Sequence, residues 1–229
     1  MTAPSDIERT RFNMIEQQIR PWDVLDLDIL ALLDRLHRED FVPLAHRALA
    51  FVDMQLPLLG DTEQALATGR CMLEPKVEAR MLQDLQVRPH EKVLEVGAGS
   101  GYMAALLASR GQRVISLESV PALVETARAN LQRAGIHNAE VRLGDGARGL
   151  AAEGPFDVIV LSGSVAEVPP ALLAQLKVGG RLGAVVGHEP MMRATFITRT
   201  GEASYTTTQP WDTVAPRLQG FPEPSRFNF

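Results

Sequence analysis

The run Leu94-Glu-Val-Gly-Ala-Gly-Ser-Gly-Tyr102 constrains this chain more than any other stretch. An apolar strand pattern over residues 92–96 leads into Gly97, Gly99 and Gly101, and a helical pattern begins at Tyr102. Strand, glycine turn and helix in that order let a ligand approach the backbone and lie across the helix N-terminus. The spacing then narrows the ligand. A dinucleotide-binding turn reads Gly-x-Gly-x-x-Gly, and counted from Gly97 its third glycine would fall where Tyr102 stands. The turn is therefore of another kind, and an NAD-dependent enzyme is disfavoured.

Beyond the turn, strand and helix patterns alternate. Strands are predicted at 92–96, 113–118, 139–143, 156–161 and 181–186, and helices at 102–110, 121–134 (closed by Gly135) and 170–176. Such alternation argues for a parallel sheet with helices on both faces. Two β-rich runs, 194–199 and 203–208, joined through Thr200-Gly201, read as an antiparallel hairpin at the sheet edge. The expected fold is thus α/β: a Rossmann-like, doubly wound, mostly parallel seven-stranded sheet with an antiparallel C-terminal hairpin, preceded by an N-terminal helical segment. In that segment Phe12, Ile15 and Ile19 and then Leu25, Ile29, Leu32, Leu33 and Leu36 recur at helical spacing, with Arg20-Pro21-Trp22-Asp23 as the break and Asp23 or Asp26 as cap of the second helix. Pro75 suits the first turn of a further helix carrying Val77, Met81, Leu82 and Leu85 on one face. The predicted division is 1–74 for helices and substrate-facing loops, 75–208 for the main ligand-binding domain, and 209–229 for an irregular tail that packs through Trp211, Phe221, Phe227 and Phe229.

Composition excludes several partner classes. A net charge of −5 gives no electrostatic reason to expect a nucleic acid. No apolar run approaches the ~18 residues that span a bilayer, and the N-terminus lacks a basic region followed by an apolar one. Cys71 is the only cysteine, which precludes an internal disulfide or a Cys-rich metal site and suits a reducing, cytoplasmic setting.

The alternate glycines preceded by an acid at the strand end, Glu95, resemble the first motif of class I S-adenosylmethionine-dependent methyltransferases. In that class the turn faces the amino-acid half of the cofactor, which implicates Glu95, Gly97, Ala98, Gly99, Ser100 and Gly101. Glu118 ends the next strand, ~20 residues on, where a carboxylate accepts both ribose hydroxyls, with Ser119 beside it. The resemblance puts Gly144-Asp145-Gly146 at the adenine, Asp145 holding its amino group, and Ser162 at the active-site wall.

More particular stretches are similar to the protein-L-isoaspartate O-methyltransferase family, which methylates the isoaspartyl carboxylate of damaged proteins. They are Met14-Ile-Glu-Gln-Gln-Ile-Arg20, Phe41-Val-Pro43, Phe51-Val-Asp53 through Leu56-Pro57, Val141-Arg-Leu-Gly-Asp-Gly146 and Leu176-Lys-Val-Gly-Gly-Arg-Leu182. The resemblance implies a methyltransferase acting on a protein, peptide or small-molecule carboxylate. One departure stands out: aligned on Pro75, Leu73 occupies the place of the family's active-site serine and can neither donate nor accept a hydrogen bond. A carboxylate acceptor is ionised at pH 7 and needs no base. A hydroxyl or amine would need one, and His188 and, less so, His137 are the candidates. Arg20, Trp22 and Arg70 lie in segments expected over the site, where an arginine could pair with an acceptor carboxylate. The competing reading is a cofactor-binding protein of the same fold without isoaspartyl repair activity, serving another acceptor or a regulatory role.

Overall fold

The computed structural model describes residues 5–223. Helix α1, Asp6–Met14, opens with a capping box between Ser5 and Glu8, runs on as a π-helical turn over Ile15–Ile19 and ends in a 3-10 turn at Arg20–Trp22. Helix α2, Leu27–Arg35, is capped by Asp26, whose carboxylate accepts from the backbone N–H groups of Asp28 and Ile29. Of the two expected caps Asp26 therefore serves; Asp23 sits in the left-handed region at φ 57° and closes the turn instead. Because α2 buries Ile29, Leu30, Leu32 and Leu33, its entry point matters. Asp26→Ala is expected to lower the unfolding free energy by about 1 kcal/mol in urea titration, and Asp26→Asn to restore most of it.

Residues 41–70, within the segment expected as helices and substrate-facing loops, contain more structure than the sequence pattern suggested. Two 3-10 turns precede strand β1, Leu56–Pro57, which pairs antiparallel with β2, Cys71–Met72, across the short helix α3, Thr62–Ala67. Helix α4, Pro75–Leu85, comes next, as its proline start predicts.

The main sheet then builds by alternation. Strand β3 is Lys92–Val96, helix α5 Tyr102–Ala108, strand β4 Arg113–Glu118, helix α6 Pro121–Arg133 and strand β5 Ala139–Leu143. Strand β6, Phe156–Val165, runs beyond the expected end, and helix α7, Pro170–Leu173, is shorter than expected because strand β7, Leu176–His188, begins early. Strand β8, Met191–Arg199, and strand β9, Tyr205–Asp212, complete a seven-stranded sheet of order β5-β4-β3-β6-β7-β8-β9. The first five are parallel and the last two antiparallel, the predicted hairpin.

Period-two alternation sends successive side chains to opposite faces. Val93, Val114, Val158 and Val160 join a core with α4, α5 and the N-terminal helices, while Leu94, Ile115, Ile159 and Leu161 join a second core with α7. Both faces are covered, as a parallel sheet requires. Glu95 and Ser116, register partners on β3 and β4, are polar residues within this pattern, and both are buried. Trp211 belongs to β9 rather than to an irregular tail, and its indole N–H donates to Asp84 on α4. Phe221 is buried against the second core; Phe227 and Phe229 lie outside the described residues. Among the described residues no helix is long and apolar enough to cross a membrane.

Candidate active site

The parallel strands end on one side of the sheet, and the glycine turn lies there between β3 and α5. Gly97 adopts φ +92°, and the backbone N–H groups of Gly97 and Ala98 both donate to the Leu117 carbonyl at the end of β4. Gly101, at φ +83°, begins α5 with its α-carbon against Ala127 of α6, where a β-carbon would meet backbone at 3.2 Å. The turn thus has a side facing a cleft at Gly97 and a packing side at Gly101.

Around it opens a cleft of about 600 Å³ including its mouth. Val96, Gly97 and Gly99 form its floor; Glu118, Ser119, Gly144 and Gly146 line one end, and Ser162 lies in β6 at the break in its register with β7. Glu118 is buried, and its carboxylate accepts from the N–H groups of Gly99 and Val120, both at 3.0 Å. It therefore fastens the turn to the end of β4 while facing the cleft. Asp145 is placed less directly. Its flanking glycines are cleft walls, but its own carboxylate caps the next 3-10 turn through the Ala147 N–H and lies 3.3 Å from Arg148.

Glu95 also departs from the simplest expectation. It does not line the cleft; it is fully buried, accepting from the hydroxyl of Ser116 at 2.6 Å and from that of Ser162 at 2.8 Å. Its task in the described structure is to position Ser162. Burial pushes its carboxyl up to about 7, the two hydroxyls opposing and Glu118 reinforcing the shift. The sign of the consequence is fixed. A folded carboxyl with a raised pKa holds its proton where the unfolded chain has released it, so stability declines as pH rises from about 4.5 to 7. Urea titrations between pH 5 and 7 are expected to show this decline, at most about 1.4 kcal/mol per pH unit for one group. Glu95→Gln should remove its share of the decline and leave that of Glu78, whose carboxyl is raised as well, and a wild-type stability that rises over that range would contradict the assignment.

Of the other residues singled out in the sequence, Arg70 and Leu73 are at the site. Arg70 lines the cleft, and its Nε is buried without a hydrogen-bond partner among the described residues. Leu73 is buried on the wall of a smaller recess beneath the turn, together with Ala98 and Ser100. Arg20 instead pairs with Glu16 at 3.0 Å, and the Trp22 ring lies under Lys76 at 4.2 Å, against α4 and away from the cleft. His188, at the end of β7, is half-exposed and 3.3 Å from Glu223; it is not a cleft wall. His137 precedes β5 and so stands at the opposite end of the sheet from the strand tips.

The tail supplies what sequence reading missed. Pro216 and Leu218 pair with Ser164 through their backbones, and Arg217, Leu218, Gln219 and Phe221 roof the cleft. Leu218 comes so close to the turn that a β-carbon on Gly97 would lie 2.8 Å from its Cδ2. The cleft offers a floor open to close approach, a carboxylate at one end, apolar side chains above and unpartnered polar groups at Arg70 and Arg217. Those features fit an elongated ligand with a nucleoside at one end and charged groups at the other, which S-adenosylmethionine is.

Comparison with known proteins agrees with this geometry. Residues 9–214 match the family described as Protein-L-isoaspartate(D-aspartate) O-methyltransferase. The chain is 40% identical over 179 residues to the protein-L-isoaspartate O-methyltransferase of Methanoculleus marisnigri, covering 78% of each chain. It is 38% identical to that of Koribacter versatilis, over 82% of this chain and 81% of the relative. A solved protein-L-isoaspartate O-methyltransferase superposes with a TM-score of 0.74 at 25% identity, covering 93% of this chain and 66% of the other. A Plasmodium falciparum structure in complex with S-adenosyl-L-homocysteine shares the fold, with a TM-score of 0.72 at 19% identity.

Proposed function

The chain belongs to the protein-L-isoaspartate O-methyltransferase family, and we propose that it transfers the methyl group of S-adenosylmethionine to a carboxylate, with the isoaspartyl carboxylate of a protein or peptide as the first acceptor to test. The observation that carries this reading is a single cleft bringing together Gly97, Gly99, Glu118, Ser119, Gly144, Gly146 and Ser162 from the tips of four strands. In it Glu118 and Ser119 would take the ribose, the glycines around Asp145 the adenine, and the turn the amino-acid half. The reducing interior of a cell suits the lone thiol of Cys71.

Bound S-adenosylmethionine supplies a methyl carbon already activated by its sulfonium. The protein's part is alignment of acceptor and donor, worth several kcal/mol when the reacting atoms are held in line. Glu95 fixes the Ser162 hydroxyl, Glu118 fixes the turn, and Leu58, Leu218 and Phe221 keep water from the cleft. Exclusion of water favours a step in which a carboxylate anion and a sulfonium cation neutralise each other. No base is needed for such an acceptor, which accords with His188 being engaged by Glu223 instead.

Leu73 supports a second reading, in which the cofactor is bound but another acceptor, or a regulatory role, has replaced isoaspartyl repair. The experiment is incubation with methyl-labelled S-adenosylmethionine beside an isoaspartyl peptide, its aspartyl counterpart and a cell extract. Base-labile label in the isoaspartyl peptide alone is the expected result. Label only in the extract, or none despite tight cofactor binding, would transfer the argument to the second reading.

A further inference from the structure

Beneath the glycine turn the cleft continues into a narrow recess. The two spaces share Leu58, Cys71, Gly97, Gly99 and Ser162, and the recess ends on Leu73, Met103 and Glu78 of α4. Glu78 is the only carboxylate among the described residues of its wall. It is 4% exposed, and its Oε2 has no hydrogen-bond donor among the described residues. The nearest cation is Arg38, whose Nε lies 3.6 Å from that oxygen, beyond hydrogen-bonding distance. The Nη groups of Arg38 are committed elsewhere, to the carbonyls of Ala50 at 2.8 Å and Leu73 at 2.6 Å.

We propose that Glu78 receives the α-ammonium group of S-adenosylmethionine, forming the polar end wall for the amino-acid half of the cofactor. The proposal rests on the cofactor reading above. An ammonium entering a desolvated recess needs an acceptor, and the turn's own acid is not on its wall: Glu95 lines neither space, and its oxygens accept from Ser116 and Ser162. Glu78, by contrast, carries an oxygen with nothing to accept from. A buried acceptor left in that condition is costly unless a ligand completes it.

The charged groups around Glu78 come from every side of the recess. Arg38 reaches it from the 3-10 turn after α2, Glu95 from β3, Glu74 from the residue before α4, and the Tyr102 phenol from α5. Burial raises the Glu78 carboxyl to about 8, Arg38 pulling the other way and Glu95 and Glu74 adding to the rise. Pairing with an ammonium favours the carboxylate form, so the cofactor should expel a proton from Glu78 on binding near pH 7.

The test compares S-adenosylhomocysteine with 5′-methylthioadenosine, which keeps the nucleoside and thioether but lacks the amino-acid end. Titration calorimetry at pH 7 in two buffers of different ionisation heat gives both affinity and protons released. The wild-type protein should release a proton with the first compound and not with the second. Glu78→Gln should abolish that release and weaken S-adenosylhomocysteine at least ~10-fold, as expected for loss of a charge-assisted hydrogen bond, while leaving 5′-methylthioadenosine within ~2-fold. Equal weakening of both compounds, or of neither, would reduce Glu78 to a counterion of Arg38 and overturn the proposal. Should Glu78→Gln not fold, the wild-type comparison decides alone: proton release matched in the two compounds is the overturning result. If neither compound binds the wild-type protein, the cofactor reading itself falls.

Discussion

Gly97→Ala should reduce the affinity for S-adenosylhomocysteine by ~100-fold, about 2.7 kcal/mol, with the sheet still folded. The backbone at Gly97 stands at φ +92°, where a residue with a β-carbon is strained by roughly 1–2 kcal/mol. The new methyl group would also lie 2.8 Å from Leu218 Cδ2 and 3.4 Å from the Ser162 carbonyl oxygen. The Leu218 side chain can swing away, but then the roof of the cleft opens. If the turn relaxes instead, it gives up the paired hydrogen bonds from Gly97 and Ala98 to Leu117, and the ligand must restore them. Gly101→Ala offers the contrast, because its methyl group would meet Ala127 on the far side of the turn. That variant should lose stability and keep most of its affinity when folded. Calorimetry and thermal unfolding on both variants separate the two effects, and a Gly97→Ala protein binding within ~3-fold of wild type would contradict the assigned ligand side.

How far the sequence disclosed this site depends on where each residue lies relative to a repeating pattern. Strands β3, β4 and β5 fall where hydrophobic alternation places them, since each is bounded by glycine, proline or charge. Strand β6 outruns its apolar stretch because Ser164 and Val165 rejoin β7 past an irregularity in the register, a pairing that period cannot reveal. Gly97, Glu118 and Ser162 were legible because a strand end followed by a turn points at the ligand in this architecture. The roof was not. Residues 213–223 have no period, and only Phe221 hinted at burial; the backbone pairing of Pro216 and Leu218 with Ser164 is what brings the tail over the turn.

Glu78 escaped for a different reason. On a helix wheel it neighbours the apolar stripe of Val77, Met81, Leu82 and Leu85, and an acid in the first turn of a helix ordinarily faces solvent and the helix dipole. Here α4 is enclosed on two sides, by the sheet and by the N-terminal helices, so the residue beside the stripe is buried too. Leu73 and Glu78 are in fact one local arrangement: an apolar side chain where the sequence resemblance implies a hydroxyl, and a carboxylate in the same recess. The change at position 73 alters the polarity of this recess while leaving the cleft above it intact.

That recess depends on Arg38, and Arg38→Ala should be the most destabilising single substitution in the N-terminal segment. The guanidinium has no exposed surface, donates to two backbone carbonyls from separate segments, and faces the buried Glu78. Removing it leaves the carbonyls of Ala50 and Leu73 without these donors and Glu78 without a neighbouring cation. Breaking a buried arrangement of this type costs about 3–5 kcal/mol, and in a chain of this size each kcal/mol shifts the melting temperature by roughly 2–4 °C. A fall of about 10 °C is therefore expected by calorimetry or circular dichroism. Arg38→Lys keeps a charge but cannot span both carbonyls in a fixed fork, so it should recover only part of the loss. Coupling provides the sharper check. Measured above pH 8, where Glu78 is ionised beside Arg38, the Arg38→Met, Glu78→Gln double variant lacks the orphaned carboxylate, so its destabilisation should be smaller than the sum of the two single changes by about 1 kcal/mol or more. Strict additivity would mean that Arg38 acts through the two carbonyls alone, holding the Leu73 segment under the glycine turn without any electrostatic tie to Glu78.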